Sequence, residues 1–486
     1  MTASLNRLVR PAFDPDDYRL IGGAGERARA AGLVNASWAR CEVPRDAMKA
    51  LTVREDGRAL RDTLLWYGLL GLAGAGFWWA WQAGVSGLVA FALYFLYATL
   101  YAGPADSRWH ECSHGTAFKT RWMNEALYQV ASFQVLRRPT RWRWSHARHH
   151  TDTLITGRDA EIAVPVPTPV ARVLLNVFAV FNGPYELGQA VINAFGRIDS
   201  EEKTYIPDSE WPAMVREARV WLLGHAAIVA AAVTSGSVLP LLLLGMLPGM
   251  LGSWLYAFFG FTQHAGLPEN VTDHRLNCRT VYMNPVFRFL YWNMNYHVEH
   301  HMFPLVPYHA LPRLHELIKA DCPPPYAGTW AAYAELLPAV WRQRREPQYH
   351  VQRTLPRPPA PAPLAEQPVV WTPRPAPTSD WVTVGAWDVL DDEEVMRFDH
   401  EGRSYAIYRS GDEVFATDGL CTHEQVHLAD GLVSGHVIEC PKHNGRFDIR
   451  DGQALGAPVC VALKTYPARL EDGQIQIDIS SAAGSS

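Results

Sequence analysis

Charged side chains vanish from two long stretches of the chain, Thr63 to Ala105 and Val220 to Pro268. Inside them, runs such as Leu64–Leu72 and Leu239–Leu247 leave no polar face for water, unlike helices that line a soluble core. About 20 apolar residues cross a bilayer, so each stretch has room for two helices and a tight turn. The pattern predicts helices over Thr63–Trp81 and Val85–Tyr101, around Gln82-Ala83-Gly84. It predicts a second pair over Val220–Thr234 and Val238–Phe259, around Ser235-Gly236-Ser237. Both turns are uncharged, whereas Arg and Lys gather elsewhere, including Arg137, Arg138, Arg141, Arg143 and Arg148. By the positive-inside bias, two hairpins enter from the cytoplasmic side of a membrane, in a bacterium the inner one, and both chain ends stay cytoplasmic. Between the hairpins, Val170–Phe181 has the pattern of a segment lying on the membrane surface.

The pattern then changes twice. Pro356 to Pro377 contains nine prolines, the composition of a stiff extended spacer. Beyond it come short β-rich runs such as Trp381–Val384 and Gln474–Ile479, punctuated by Asp418-Gly419, Asp430-Gly431, Asp451-Gly452 and Asp472-Gly473. Asp-Gly is a strong hairpin-turn signal, so this part reads as a small all-β domain. The expected architecture is multidomain: an all-α, four-helix transmembrane domain with a cytoplasmic cap, followed by the small β domain. Its segments are an N-terminal 1–60, a membrane domain 61–345, a linker 346–378 and a C-terminal domain 379–486.

Composition narrows the function classes. The chain has 486 residues, 48% hydrophobic and 19% charged, which is too apolar for a disordered protein. A net charge of −5 offers no basic excess for nucleic acid. The charge is uneven, however: residues 379–486 hold 8 basic and 19 acidic side chains, a net of −11, against +6 for the remainder. An acidic domain beside an Arg-rich cap suits steered, transient docking. Seven Cys is a sparse, odd number that argues against a disulfide-stapled scaffold.

In the β domain stand Cys421-Thr-His423 and, after sixteen intervening residues, Cys440-Pro-Lys-His443. Two thiolates for one iron and two imidazoles for the other are the ligand set of a Rieske [2Fe–2S] cluster. The same four residues would also suit zinc. The residues after His443 favour the cluster: Asn444-Gly445-Arg446-Phe447-Asp448, then Pro458 and Tyr466-Pro467. Over its full length the segment resembles a Rieske ferredoxin, a one-electron carrier. That resemblance implies Cys421, His423, Cys440 and His443 as cluster ligands. Thr422 and Lys442 stand where respiratory Rieske proteins place an extra cysteine pair, so the soluble oxygenase-ferredoxin type is implied. Cys41, Cys112, Cys278, Cys322 and Cys460 share no such pattern and read as inert thiols in a reducing compartment.

Three histidine constellations flank the apolar stretches: His110-Glu-Cys-Ser-His114, His146-Ala-Arg-His149-His150 and His297-Val-Glu-His300-His301. On a helix, positions i, i+3 and i+4 share a face, so each box is expected to aim its imidazoles at a common point. The first also fits the H-E-x-x-H zinc-protease motif with Glu111 as base, but a hydrolase needs neither the further histidines nor a fused electron carrier. Gly23-Ala-Gly25-Glu-Arg-Ala28 is a fragment of a dinucleotide loop without the strand that would frame it. Many imidazoles with few carboxylates suit a redox-active iron pair.

The three boxes, in this order around two apolar hairpins, resemble the membrane fatty-acid desaturase and hydroxylase superfamily over about residues 60–345. The third box continues as His301-Met-Phe-Pro304-Leu-Val-Pro307 and Leu311-Pro312, which fits that usage. The resemblance implies His110, His114, His146, His149, His150, His297, His300 and His301 as diiron ligands. It adds His264, in Gln263-His264-Ala-Gly266, as a ninth. His225 matches no box and reads as a packing residue. His110–Phe118, Trp142–Asp159 and Gln263–Val281 also resemble bacterial desaturase-like oxygenases, including those of rhizopine breakdown, so the substrate is either a lipid acyl chain or a small organic molecule. The expected function is an O2-dependent membrane diiron desaturase or hydroxylase, with no catalytic side chain beyond the metal ligands. Its own Rieske domain supplies electrons, and a separate NAD(P)H-dependent reductase recharges it. The rival reading is a membrane-bound Rieske electron carrier without oxygenase chemistry.

Overall fold

The computed structural model describes residues 15–34, 36–356, 381–423, 426–442 and 444–480. His443 and residues 357–378 of the linker therefore lie outside the described residues. The chain forms two compact units that divide at about residue 360, one helical and one of β structure.

In the helical unit the first hairpin is α1 (Asp56–Gln82) and α2 (Gly87–His114), joined through Ala83-Gly84 as the sequence predicts. The next helices are α3 (Arg121–Gln134), α4 (Pro139–Thr151), α5 (Trp211–Ser235) and α6 (Met246–His264). Among the described residues, three helical stretches are long and apolar enough to cross a membrane: Gly87–His114, Asp208–Ser235 and Leu239–His264. Four were expected. The fourth, α1, has the length, but Trp66, Tyr67, Trp78, Trp79 and four glycines dilute its apolar stretch. Much of this surface is uncovered: Leu72, Leu88, Val220 and Val233 are each more than two-thirds exposed.

The last span is not one continuous helix. A short helix, Leu239–Leu244, ends at Gly245, whose backbone is extended, before α6 begins. Pro248 explains the break, since a proline ring clashes with the carbonyl four residues earlier, here Leu244. Tyr97 Oη donates to the freed Leu243 carbonyl at 2.5 Å. Beyond the break, α6 lies hard against α2. A Cβ on Gly252 would sit 1.8 Å from the Ala98 carbonyl oxygen, and one on Gly103 2.6 Å from Leu255. Small residues let apolar helices approach this closely. The Gly252→Val substitution is expected to cost about 3 kcal/mol or more, because its obstacle is backbone and cannot rotate away. Thermal unfolding of the full chain, followed by helical circular dichroism, measures that loss.

The β unit contains β1 (Trp381–Ala386), β2 (Glu394–His400), β3 (Arg403–Ser410), β4 (Glu413–Asp418) and β5 (Leu432–Ser434). It continues with β6 (Val437–Glu439), β7 (Arg446–Asp448), β8 (Thr465–Tyr466), β9 (Ala468–Glu471) and β10 (Gln474–Asp478). All pairings are antiparallel, in sheets of order β1-β10-β9, β2-β3-β4-β8 and β5-β6-β7. Of the four Asp-Gly pairs, only Asp472-Gly473 makes a two-residue hairpin, with both residues at positive φ. At Asp418-Gly419 the glycine answers crowding instead: a Cβ there would lie 2.8 Å from the Ser404 carbonyl oxygen.

Candidate metal centres

The first box ends α2, the second lies in α4, and the third forms a short helix α7 (His297–Met302). The boxes do not each aim at one point. His110, His114, His146, His150 and His300 bring their ring nitrogens within 4.8 Å of one another, and His149, His264, His297 and His301 form a second such group. Helix phase accounts for the split. At about 100° per residue, i and i+4 are nearly in line while i+3 and i+4 diverge by about 100°. Thus His146 and His150 serve one group and their neighbour His149 the other. In the third box, His297 and His301 serve the second group and His300 the first.

The donor chemistry fits two transition-metal ions. Nitrogen faces nitrogen across short gaps: His110–His300 at 2.8 Å, His114–His146 at 3.1 Å, His264–His297 and His297–His301 at 3.0 Å. Both ring nitrogens of His150 are buried without a hydrogen-bond partner. Converging buried lone pairs are costly unless a cation takes them up. Burial and the neighbouring imidazoles hold His150, His297, His300 and His301 well below the usual histidine range, in the neutral form that ligates.

Outer partners fix the tautomers. His149 Nδ1 donates to Asp159 at 2.8 Å, His146 Nδ1 to Glu161 at 3.0 Å and His264 Nδ1 to the Asn277 carbonyl at 2.8 Å. Each leaves Nε2 free to ligate. Burial pulls His149 down, but Asp159 beside it more than compensates and its pKa is raised. Burial would raise Glu161, yet His146, His149 and Ser145 bring it down to about 2. Asp159 also accepts from Leu154 N and Glu161 N, so its own position is fixed. Sequence reasoning passed over these partners, although Asp159 and Glu161 come after the second box by only 9 and 11 residues. Asp159→Asn is expected to weaken iron binding by about tenfold to 100-fold, read by competition with a chelator.

Neither glutamate of the boxes joins the two nitrogen groups. Glu111 accepts from Thr116 Oγ1 at 2.7 Å and from Tyr308 N at 3.0 Å. Glu299 is held by His315 and Thr280. A zinc-protease base at Glu111 is thereby contradicted. His225 packs as expected, stacked 4.5 Å from Phe133 and edge-on to Trp221.

The arginine run is not the surface patch its sequence suggests. Arg137 pairs with Asp106, Arg138 with Glu186 and Glu202, Arg143 with Glu125 and Arg148 with Asp152, and all five side chains are between 5% and 27% exposed. The carboxylates that hold Arg137 and Arg138 come from other segments, whereas Asp152 lies only four residues beyond Arg148. Some of these arginines line a cavity of about 570 Å³ that reaches His110, His146, His149, His264 and His297.

In the β unit, Cys421 and His423 lie on the loop after β4, and Cys440 lies on the loop after β6. Both cysteines are 2% exposed and belong to one buried cluster with Tyr408, Ile438, Phe447 and Val459. Loop hydrogen bonds Cys421 N to Val426 O and Cys440 N to Gly445 O, at 2.9 and 2.7 Å, hold them there. Of the other five cysteines, Cys41, Cys112, Cys278 and Cys322 are buried thiols and Cys460 is exposed.

Paired imidazole groups at the end of apolar helices, with a separate two-cysteine β domain, define a helical metalloprotein that carries its own iron–sulfur unit. The chain belongs to the fatty acid desaturase family, whose model matches residues 86–333. A Rieske [2Fe–2S] domain matches residues 380–467. Similar proteins include the ferredoxin component of the naphthalene 1,2-dioxygenase system of Pseudomonas aeruginosa, 41% identical over 21% of this chain and 99% of that protein. The anthranilate 1,2-dioxygenase ferredoxin subunit of Burkholderia cepacia is 35% identical over 21% of this chain and 96% of its own. A solved ferredoxin from Sphingomonas yanoikuyae is 39% identical over 20% of this chain and 96% of its own, with a TM-score of 0.20. The Rieske match implies a [2Fe–2S] cluster in the β domain, and the family match with the histidine clusters implies a diiron centre in the helical one.

Proposed function

We propose that this protein is a membrane-embedded, O2-dependent oxygenase that hydroxylates or desaturates a C–H bond with electrons from its own Rieske domain. One observation carries the reading: two compact imidazole groups open onto a single cavity, in a chain that also holds a one-electron carrier. His110, His114, His146, His150 and His300 hold one iron. His149, His264, His297 and His301 hold the other. Cys421, His423, Cys440 and His443 hold the cluster. The iron pair supplies reductive activation of O2 and removal of hydrogen from an unactivated C–H bond.

The chain's own groups prepare that chemistry. Asp159, Glu161 and the Asn277 carbonyl keep protons on Nδ1 of their histidines. The linker, 346–378, holds the carrier at high effective concentration, which matters because two one-electron deliveries are needed per turnover. With domain bounds of 61–345 and 379–486, the histidine boxes and the Rieske domain face the cytoplasm of a bacterial inner membrane. A separate NAD(P)H-dependent reductase meets the chain there, and the substrate is a lipid acyl chain or a small organic molecule.

Full-length protein in lipid nanodiscs, given NADH and a reductase of the aromatic-dioxygenase type, tests this. Substrate-dependent O2 uptake with label from 18O2 in product or water is expected. Reduction of the cluster without any O2 uptake, across lipid and polar candidate substrates, would favour the bare electron carrier.

A further inference from the structure

The cavity beside the imidazoles is lined by charged side chains, and nearly all have partners. Asp106 holds Arg137 at 2.7 Å, Glu161 is bound by His146 and Ser145, and Glu186 takes Arg138 at 2.8 Å. Arg141 is held more loosely than Arg137 or Arg138, with a 3.8 Å ion pair in place of their pairs at 2.6–2.8 Å. Its Nε and Nη1 are buried and have no hydrogen-bond partner. The nearest paired carboxylate oxygen, Glu202 Oε1, is 3.8 Å away and already accepts from Arg138 at 2.6 Å. The guanidinium rests 4.2 Å from the ring of Trp142, whose Nε1 is also buried and unpartnered. Buried donors left unmade weaken a fold, so a cluster of them beside a cavity marks a place for a ligand acceptor.

Position adds the second half of the argument. Arg141 lies on α4, five residues before His146 and eight before His149. At 1.5 Å per residue those imidazoles are about 7.5 and 12 Å further along the helix axis. A molecule gripped at Arg141 therefore presents an atom on the order of 10 Å away to the metal-facing side chains. Guanidinium binds carboxylate oxygens most strongly, through charge-assisted hydrogen bonds.

We propose that Arg141, assisted by Trp142 Nε1, anchors the substrate by an oxygen-bearing group, a carboxylate above all, so that the substrate is a compact oxygenated acid rather than a plain alkyl chain. This rests on the oxygenase reading of the same cavity. Arg141 positions the substrate and takes no part in proton or electron transfer.

Calorimetric titration of octanoate into full-length, iron-loaded protein tests the anchor without turnover. Wild type should bind octanoate, Arg141→Gln at least tenfold more weakly, and Arg141→Lys with intermediate affinity, while iron content and unfolding temperature stay level. Equal octanoate affinity in wild type and Arg141→Gln, or hexadecane binding without octanoate binding, would overturn the proposal. Iron content and O2 uptake are read on the same wild-type preparation. If both persist while octanoate ignores Arg141, only the anchor falls. Absence of non-cluster iron sinks the oxygenase reading, and the anchor with it.

Discussion

Alanine at His150 or His300 is expected to abolish O2-dependent turnover, by more than about 100-fold, while leaving the Rieske absorbance intact. Both rings are buried in the five-histidine group, and His300 meets His110 at 2.8 Å. Loss of a mere outer partner of a ligating histidine costs about tenfold to 100-fold, so loss of a direct ligand costs more. His225→Ala is the matched control, since its ring stacks on Phe133, meets Trp221 edge-on and joins neither nitrogen group. Turnover and iron content, measured side by side on the three variants, separate a lost ligand from a lost fold. A His150→Ala protein with full activity would mean that the five-histidine group holds no working iron.

Cys440→Ser carries the second large effect, in the other half of the chain. The cluster's visible absorbance and its electron paramagnetic resonance signal should vanish, and NADH-driven turnover with them. Non-cluster iron should remain, because among the described residues the imidazole groups draw none from the β unit. Cys440 is also 2% exposed in the domain's core cluster, so circular dichroism is needed to show that the β unit still folds. Turnover that survived the loss of the cluster would place the electron entry elsewhere.

How much of the fold and site is legible in the sequence depends on how local each feature is. Absence of charge over some forty residues is a local property, and it places both turns, but the helices run on into charged sequence: α1 begins seven residues earlier than predicted, α2 ends thirteen later and α5 begins nine earlier. The box and Cys/His spacings are local too, and they mark every histidine of the two nitrogen groups except His264, which only the family resemblance supplies. The division of each box between two groups is not local in that sense. It comes from helix phase, but only once α2, α4, α6 and α7 have been placed around a common centre. The arginine run shows the same limit: five basic residues in twelve look like a surface until Asp106, Glu186 and Glu202 arrive from other segments. The break at Gly245 escapes the apolar pattern, which runs straight through it, although Pro248 is a local signal for it.

Iron and acid-labile sulfide, counted per chain on purified full-length protein, test the diiron assignment most directly. About four irons with about two sulfides are predicted, the surplus of about two irons belonging to the histidine groups. Iron equal to sulfide, or zinc in place of the surplus iron, would contradict it.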